Sequence, residues 1–435
     1  MKAIVRAAAA ALVLSGTAEA TVRPYLVDVT STTARIRFSS DQSPNSVEWG
    51  VGALTNSTPV TAVIDNELDT LFQQALVEVQ LTGLSASTVY QYRVVRGALP
   101  DATYTFTTAV NPGEAFSFAA YGDNRTGVGG VAGGGAHADH KAVADAIAAQ
   151  VPDFVVNTAD HMDTDNILGD DIFQPWDDFF LQEQNLLPKT PTYNARGNHD
   201  DAADFWVKLF SIPGDPGVGY RSFDYGNAHF VVVNTNESVN AGSPQYNFIQ
   251  ADLAANEGQG PLFAFHHHGA FSNGVHGGSS GPHDHLAPLY QRYGVDVVFT
   301  GHDHVYTRYQ PINGVNYVVT GGGGAPTYPV NFQNQAPIVV TQSTLNYVLT
   351  TVSGDAITVV ARRPNGTQID AFAVNAAAND GLYTESDPLP PKGDGVSVPG
   401  CITAGGPASG GASGAASALL YGLPVLAIGL LRRRA

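Results

Sequence analysis

Cysteine is nearly absent. Cys401 is the single one in 435 residues, so no disulfide framework within the chain can hold the fold, and stability has to come from a buried core. Positive charge is scarce as well: 21 Lys and Arg stand against 39 Asp and Glu, a formal net charge of −18. That balance excludes a general binder of nucleic acid or anionic membranes, and no nucleic acid is expected as a structural partner. A phosphate-bearing ligand would have to be drawn in by a local positive site such as bound metal. Charged residues make up only 14% and hydrophobic ones 43%, a globular composition with a lightly charged surface. The length allows two or three domains. Histidine is missing before His137 and after His304, so all 13 fall in one stretch.

Both ends differ from the middle. Lys2 and Arg6 form a basic start, Ala7–Leu14 is apolar, and Ala18-Glu19-Ala20 fits small-residue cleavage, the pattern of a signal peptide over residues 1–20. The chain is therefore expected to be exported, to the extracellular space or the cell-envelope surface. Residues 376–415 are rich in Gly, Ala, Pro and Ser and read as a solvated, flexible linker. In 416–435 an apolar stretch, Ala416–Leu431, precedes Arg432-Arg433-Arg434. It is somewhat shorter than the roughly 20 residues a spanning helix prefers, but it carries a positive inner flank. With Gly400-Cys401 upstream, this tail resembles bacterial C-terminal sorting signals. It predicts transient or permanent membrane attachment and sorting or processing machinery as a partner.

Between the ends, two regions separate. Residues 21–111 look all-β: Ala34-Arg35-Ile36-Arg37-Phe38 and Val89–Val95 alternate with period two. Leu81-Thr82-Gly83-Leu84 before Ser87-Thr88-Val89-Tyr90 resembles the strand entry of fibronectin-III-like modules, which implies an immunoglobulin-like sandwich. Residues 112–375 alternate short apolar runs (Phe116–Tyr121, Phe154–Asn157, His229–Asn234, Leu262–His266, Val295–Thr300) with helical stretches, the pattern of an α/β layer fold. Three further strands, around Tyr317–Thr320, Tyr347–Val352 and Ala356–Ala361, complete its sheets. Gly321–Gly324 reads as a flexible turn between them.

Five short segments follow the predicted strands, where open α/β sheets place ligands: Tyr121-Gly122-Asp123-Asn124-Arg125, Asp160-His161-Met162-Asp163, Gly197-Asn198-His199-Asp200, His266-His267-His268 and Gly301-His302-Asp303-His304. In extended backbone, residues two apart share a side, so His302 and His304 can face one cavity while Asp303 turns away. Imidazole suits zinc, iron and manganese. Taken singly, each segment has a plain structural alternative. Asp123 and Asp160 can cap helices or form turns, Gly-Asn-His-Asp can be a tight turn, and two histidines can be surface residues. All five in order make coincidence a poor account.

The series resembles the calcineurin-like metallophosphoesterase superfamily, with its Asp, Gly-Asp, Gly-Asn-His-Asp/Glu, His and Gly-His-x-His. The β-sandwich ahead and the Thr-Gly-Gly-Gly-Gly stretch behind resemble the purple acid phosphatases in particular. The implied architecture is a multidomain chain: a β-sandwich, then an α/β metallophosphoesterase sandwich of two mixed sheets flanked by helices. The implied activity is hydrolysis of a small phosphate ester, most simply a monoester, by a hydroxide shared between two metal ions (Fe, Zn or Mn). A phosphodiesterase acting on nucleotides or lipids and a non-catalytic adhesion protein with a decayed site are the alternatives. Carried over by position, the resemblance makes Asp123 and His304 ligands of the first metal and Asp160 the carboxylate bridging both. Asn198, His267 and His302 become ligands of the second, and His199 the residue beside the leaving group. His266 is the fallback for His267. Arg125 is a candidate grip on a phosphate oxygen, and His276 a candidate on the substrate side, with His283 and His285 as rivals.

Three positions depart from the family pattern. The first motif has Arg125 where many members have His. The family's metal-bound tyrosine is replaced by Asp163, and its Gly before the bridging Asp is Ala159. Asp163 or His161 is expected to fill the missing ligand position.

Overall fold

The structure, a computed structural model, describes residues 22–69, 74–97, 99–125, 135–162, 173–200, 205–333, 335–376 and 381–396. The expected signal peptide (1–20), Asp163, Cys401 and the apolar tail (416–435) lie outside the described residues. No helix among the described residues is long and apolar enough to cross a membrane.

Nine strands come first: β1 (Tyr25–Val29), β2 (Thr33–Ser40), β3 (Asn45–Gly50), β4 (Asn56–Pro59), β5 (Ala62–Asp69), β6 (Gln74–Thr82), β7 (Val89–Arg96), β8 (Leu99–Pro100) and β9 (Tyr104–Thr107). They form two sheets, β1-β2-β6-β5 and β4-β3-β7-β8, with β9 on β7, all antiparallel. Alternate residues such as Ile36, Phe38, Val79 and Tyr92 are fully buried between them, so period two in sequence becomes one apolar face per sheet.

The second region runs β10 (Phe116–Tyr121), α1 (Gly135–Ala148), β11 (Phe154–Asn157), α2 (Phe173–Gln182), β12 (Thr192–Asn194), α3 (Phe205–Phe210), β13 (Arg221–Tyr225) and β14 (Ala228–Val233). It continues through α4 (Pro244–Asn256), β15 (Leu262–His266), α5 (Ala287–Arg292), β16 (Val297–Thr300), β17 (Tyr306–Tyr309), β18 (Asn316–Thr320), β19 (Ile338–Gln342), β20 (Tyr347–Ser353), β21 (Ala356–Arg362) and β22 (Gln368–Asn375). One sheet has the order β12-β11-β10-β20-β21-β22, the other β13-β14-β15-β16-β18-β17-β19. In the first, parallel β12, β11 and β10 form one side and antiparallel β20 to β22 the other; in the second, the parallel centre of β14, β15, β16 and β18 is flanked on both sides by antiparallel strands. This is the expected pair of mixed sheets. The central strands are buried on both faces, which explains why they read as continuous apolar runs rather than alternating ones. Phe118, Phe230 and Phe263 meet between the sheets, with Phe118 edge-on to both partners at 5.5 and 5.2 Å. The alternate residues Val231, Ala264 and Val298 face Ile249, Leu253 and Leu289 of the helices.

A buried arginine joins the two regions. Arg37 bonds Glu78 at 2.9 Å and donates to the carbonyls of Leu209 and Ser211 at 2.9 and 2.7 Å. A cation at the C-terminus of α3 satisfies carbonyls that the helix leaves open.

Residues 381–396 depart from the solvated linker expected for 376–415. Lys392 O accepts from Ser272 N at 3.0 Å and Val396 N donates to Val275 O at 2.8 Å, so this segment straps the loop after β15. A Gly- and Pro-rich composition allows such a strap because its backbone can lie close against another. A Cβ on Gly393 would stand 2.0 Å from Ser272 O.

His229 ties β14 to α4, bonding Asp224 at 2.6 Å and Asp252 at 2.8 Å. Burial disfavours its charged form, but the two carboxylates raise its pKa from 6.5 to about 9. A folded value above the unfolded one means the stabilisation is full below pH 6.5 and is lost as pH rises through 9. In urea titrations, His229→Gln should cost about 1–2 kcal/mol at pH 6 and much less at pH 10, with Asp224's exposure keeping the figure modest.

Candidate metal centre

The five segments all leave the C-terminal ends of parallel strands: Asp123 follows β10, Asp160 follows β11, Asn198 and His199 follow β12, His267 and His268 follow β15, and His302 and His304 follow β16. Parallel strands in register put these ends at one edge of the layered sheets, so residues remote in sequence meet there. The turns are tight. Asp123, Ala159, Asp160 and His302 have φ of 60°, 87°, 52° and 70°, a region that costs a non-glycine residue roughly 1 kcal/mol. The φ at Ala159 explains why the family pattern has glycine there. A Cβ on Gly301 would stand 2.3 Å from an Asp123 carboxylate oxygen, so only glycine lets that backbone close over Asp123.

The six expected ligands meet in one chain of contacts. His304 Nε2 is 3.6 Å from Asp123. His267 Nε2 lies 3.2 Å from Asp160, 3.0 Å from the Asn198 side-chain oxygen and 3.3 Å from His302 Nδ1. Asp123, Asp160 and His267 each bring one ligand atom within 4.8 Å of the others. The outer nitrogens are held from behind: His267 Nδ1 donates to Thr158 O at 3.0 Å and His304 Nδ1 to Pro326 O at 2.7 Å. This orients the rings and leaves Nε2 facing inward, as in metal-binding histidines.

The electrostatics fit a cation. Burial pushes the Asp123 carboxyl well above the usual carboxylate range, against the pull of His267. Burial acts likewise on Asp160, but His267, His199 and Arg125 overcome it and hold Asp160 ionised below its usual range. Asp160 in turn lifts His267 to about 9 in spite of burial. Burial and Arg125 lower His304 to about 3. Protonated His267 places one positive charge among these carboxylates and the amide oxygen. Once that proton leaves, its inward Nε2 becomes a lone pair among acceptors, and a cation would take the proton's place. Mixed nitrogen and oxygen donors suit iron, zinc or manganese, so the residues present fit a dinuclear metal group.

Residues 116–306 match the family described as Calcineurin-like phosphoesterase. The chain carries a calcineurin-like phosphoesterase domain and is similar to the purple acid phosphatases. "Probable inactive purple acid phosphatase 1" of Arabidopsis thaliana is 29% identical over 195 residues, which is 34% of this chain and 32% of that protein. "Purple acid phosphatase 21" of the same plant is 30% identical over 179 residues, 35% of this chain and 41% of that protein. The aligned segment thus spans about a third of the first relative's length. The purple acid phosphatase PPD1 from yellow lupin (Lupinus luteus) seeds has a similar fold, with a TM-score of 0.70 at 19% identity over 84% of this chain and 76% of that one.

Around the candidate metal centre, the other candidates fall as follows. His199 donates its backbone N–H to Asp160 at 3.0 Å and holds its ring Nε2 3.9 Å from the same carboxylate. Arg125 reaches Tyr328 OH at 3.3 Å, and its charge is felt at Asp123, Asp160 and His304. The His276 ring packs 4.1 Å from that of His302. His283 and His285 sit on the turn Pro282–Leu286, where His283 donates to Pro390 O, so His276 is the one beside the centre.

Three expectations need correction. His161 does not stand in for the family's tyrosine: it is buried between Asp200 and Asn194 at 3.0 and 2.9 Å and stacks on Phe210, because the turn at Asp160 directs successive side chains to opposite sides. His266 is no fallback, since it still belongs to β15 and points into the helix layer against Tyr290. Gly321–Gly324 is a buried wall, not a flexible turn: Gly323 N donates to Gly122 O at 2.8 Å and a Cβ on Gly321 would meet Asp123 at 2.7 Å.

Two residues were missed. Asp200 accepts the backbone N–H groups of Asp160, His161 and Gly197 at 3.0, 2.8 and 2.9 Å, clamping the Asp160 turn to the Asn198 turn. Its place as the last residue of Gly-Asn-His-Asp was the available signal. Asp303, expected to face away, does so to a purpose: it bonds Ser272 and accepts His276 N at 3.0 Å, fixing the loop that carries His276.

Proposed function

We propose that this chain is an exported phosphomonoesterase with a dinuclear metal site. Asp123, Asp160 and His304 would hold one metal, and Asp160, Asn198, His267 and His302 would hold the other. The observation that carries the reading is Asp160: this buried carboxylate lies 3.2 Å from His267, and it, His267 and Asp123 each bring a ligand atom within 4.8 Å of the others, as a carboxylate shared by two cations would require. When bound, the cations would supply an activated water and neutralise charge on the phosphoryl group. Arg125 grips a phosphoryl oxygen through its planar fork. The His199 ring, next to Asp160, protonates the departing ester oxygen. His276 borders the substrate on the His302 side. Asp163 is the remaining candidate for an extra ligand to the first metal. The N-terminal two-sheet region is read as a fibronectin-III-like module, and the segments 1–20 and 416–435 as export and membrane-attachment or sorting signals.

The test is elemental analysis joined to a substrate pair. The purified full chain should contain two equivalents of Fe, Zn or Mn and cleave p-nitrophenyl phosphate faster than bis(p-nitrophenyl) phosphate, and chelation should abolish both reactions. Preference for the bis ester would make the chain a phosphodiesterase. Protein free of metal and inert after metal is added back would overturn the hydrolase reading in favour of a decayed site.

A further inference from the structure

His268, the third residue of the His triple, lies outside every role assigned above, yet it faces the centre. One ring nitrogen from each of His267, His268 and His302 lies within 4.8 Å of the other two. The His268 ring is 4.9 Å from that of His267 and 4.4 Å from that of His302. The chain can present two neighbouring side chains to one cavity because β15 ends at His266 and the backbone bends there. In a continuing strand they would point to opposite faces.

The support behind His268 matches that behind the assigned ligands. Thr235 Oγ1 accepts the His268 backbone N–H at 3.1 Å and lies 2.8 Å from its Nδ1. With Nδ1 engaged by a hydroxyl, Nε2 is the nitrogen left for the cluster. A fixed outer nitrogen and an inward lone pair are the arrangement seen at His267 against Thr158 O and at His304 against Pro326 O.

We infer that His268 is a further ligand of the second metal, adding a third imidazole to His267 and His302 beside Asn198 and Asp160. This rests on the dinuclear reading above. A donor set with three imidazoles favours iron, zinc or another imidazole-seeking ion over magnesium or calcium at that position.

The test uses the full chain stripped by chelation and titrated with Co(II), read by visible d–d absorption and by bound-metal stoichiometry, next to His268→Ala and Thr235→Val. The wild type should bind two equivalents. His268→Ala should bind the first as wild type does, and bind the second at least as weakly as Thr235→Val, with an altered absorption band. Thr235→Val keeps the ligand but loses its outer partner, so it should weaken the second by about 10–100-fold. Circular dichroism of the stripped proteins should be the same for all three, separating ligand loss from misfolding. If both variants titrate with wild-type affinity and unchanged spectra, His268 is not a ligand, while the dinuclear site stands. A wild type that takes up no Co(II) overturns the dinuclear reading and this inference with it.

Discussion

Asp160→Asn should bind at most one metal ion per chain, and its phosphomonoesterase turnover should fall by more than the roughly 10–100-fold that loss of an outer-shell partner costs. Elemental analysis and steady-state kinetics on the same preparation check both. The argument is one of charge and position. Asp160 is buried, and its negative charge is felt by His267, His276 and His304. Asparagine keeps the shape and an oxygen to accept the His199 backbone N–H, so the Gly-Asn-His turn survives. Asp200 still clamps the Asp160 backbone from behind. What disappears is the single negative charge common to both cation positions. Equal loss of metal and activity supports the bridging role. Two tightly held metals in Asp160→Asn would refute it.

His199→Ala should do the opposite: keep both metals and lower turnover by roughly 10²–10⁴-fold, the usual range for loss of a general acid. His199 Nε2 stands 3.9 Å from Asp160, beside the ligand cluster but outside the two groups of mutually close ligand atoms. That position suits the proposed role of leaving-group acid better than that of a ligand. The deficit should be large for alkyl phosphates, whose leaving oxygen needs a proton, and small for p-nitrophenyl phosphate, whose phenolate leaves without one. An equal deficit on both, or full rate on an alkyl ester, would remove the acid assignment.

The contrast between His161 and His267 marks how far the sequence could be read. Both follow a strand and both sit beside or within a motif. His267 reaches the centre, while His161 packs under it against Asp200 and Phe210. The difference lies in the backbone at Asp160, whose φ of 52° turns the next side chain away, and that depends on Gly197 closing to within contact of Asp160. His266, His267 and His268 raise the same point. Three identical residues divide between the helix layer, for His266, and the centre, for His267 and His268, according to where β15 stops. The Gly321–Gly324 run shows the limit for composition. Glycine predicts freedom in an isolated chain, but here it permits close approach to Asp123, and the segment is buried.

Sequence alone determined the layers and the order of the ligands. Apolar runs of strand length, separated by helical stretches, can bury themselves only between and beneath sheets, and each motif follows a run because that is where a parallel strand ends. Only the tertiary structure decided which histidines face inward, that Asp200 and Asp303 brace the site, and that residues 381–396 lie against the His276 loop. Those outcomes depend on turn dihedrals and on contacts between segments remote in sequence, such as Asp200 with His161, Asp303 with Ser272 and Lys392 with Ser272, and local pattern does not set either.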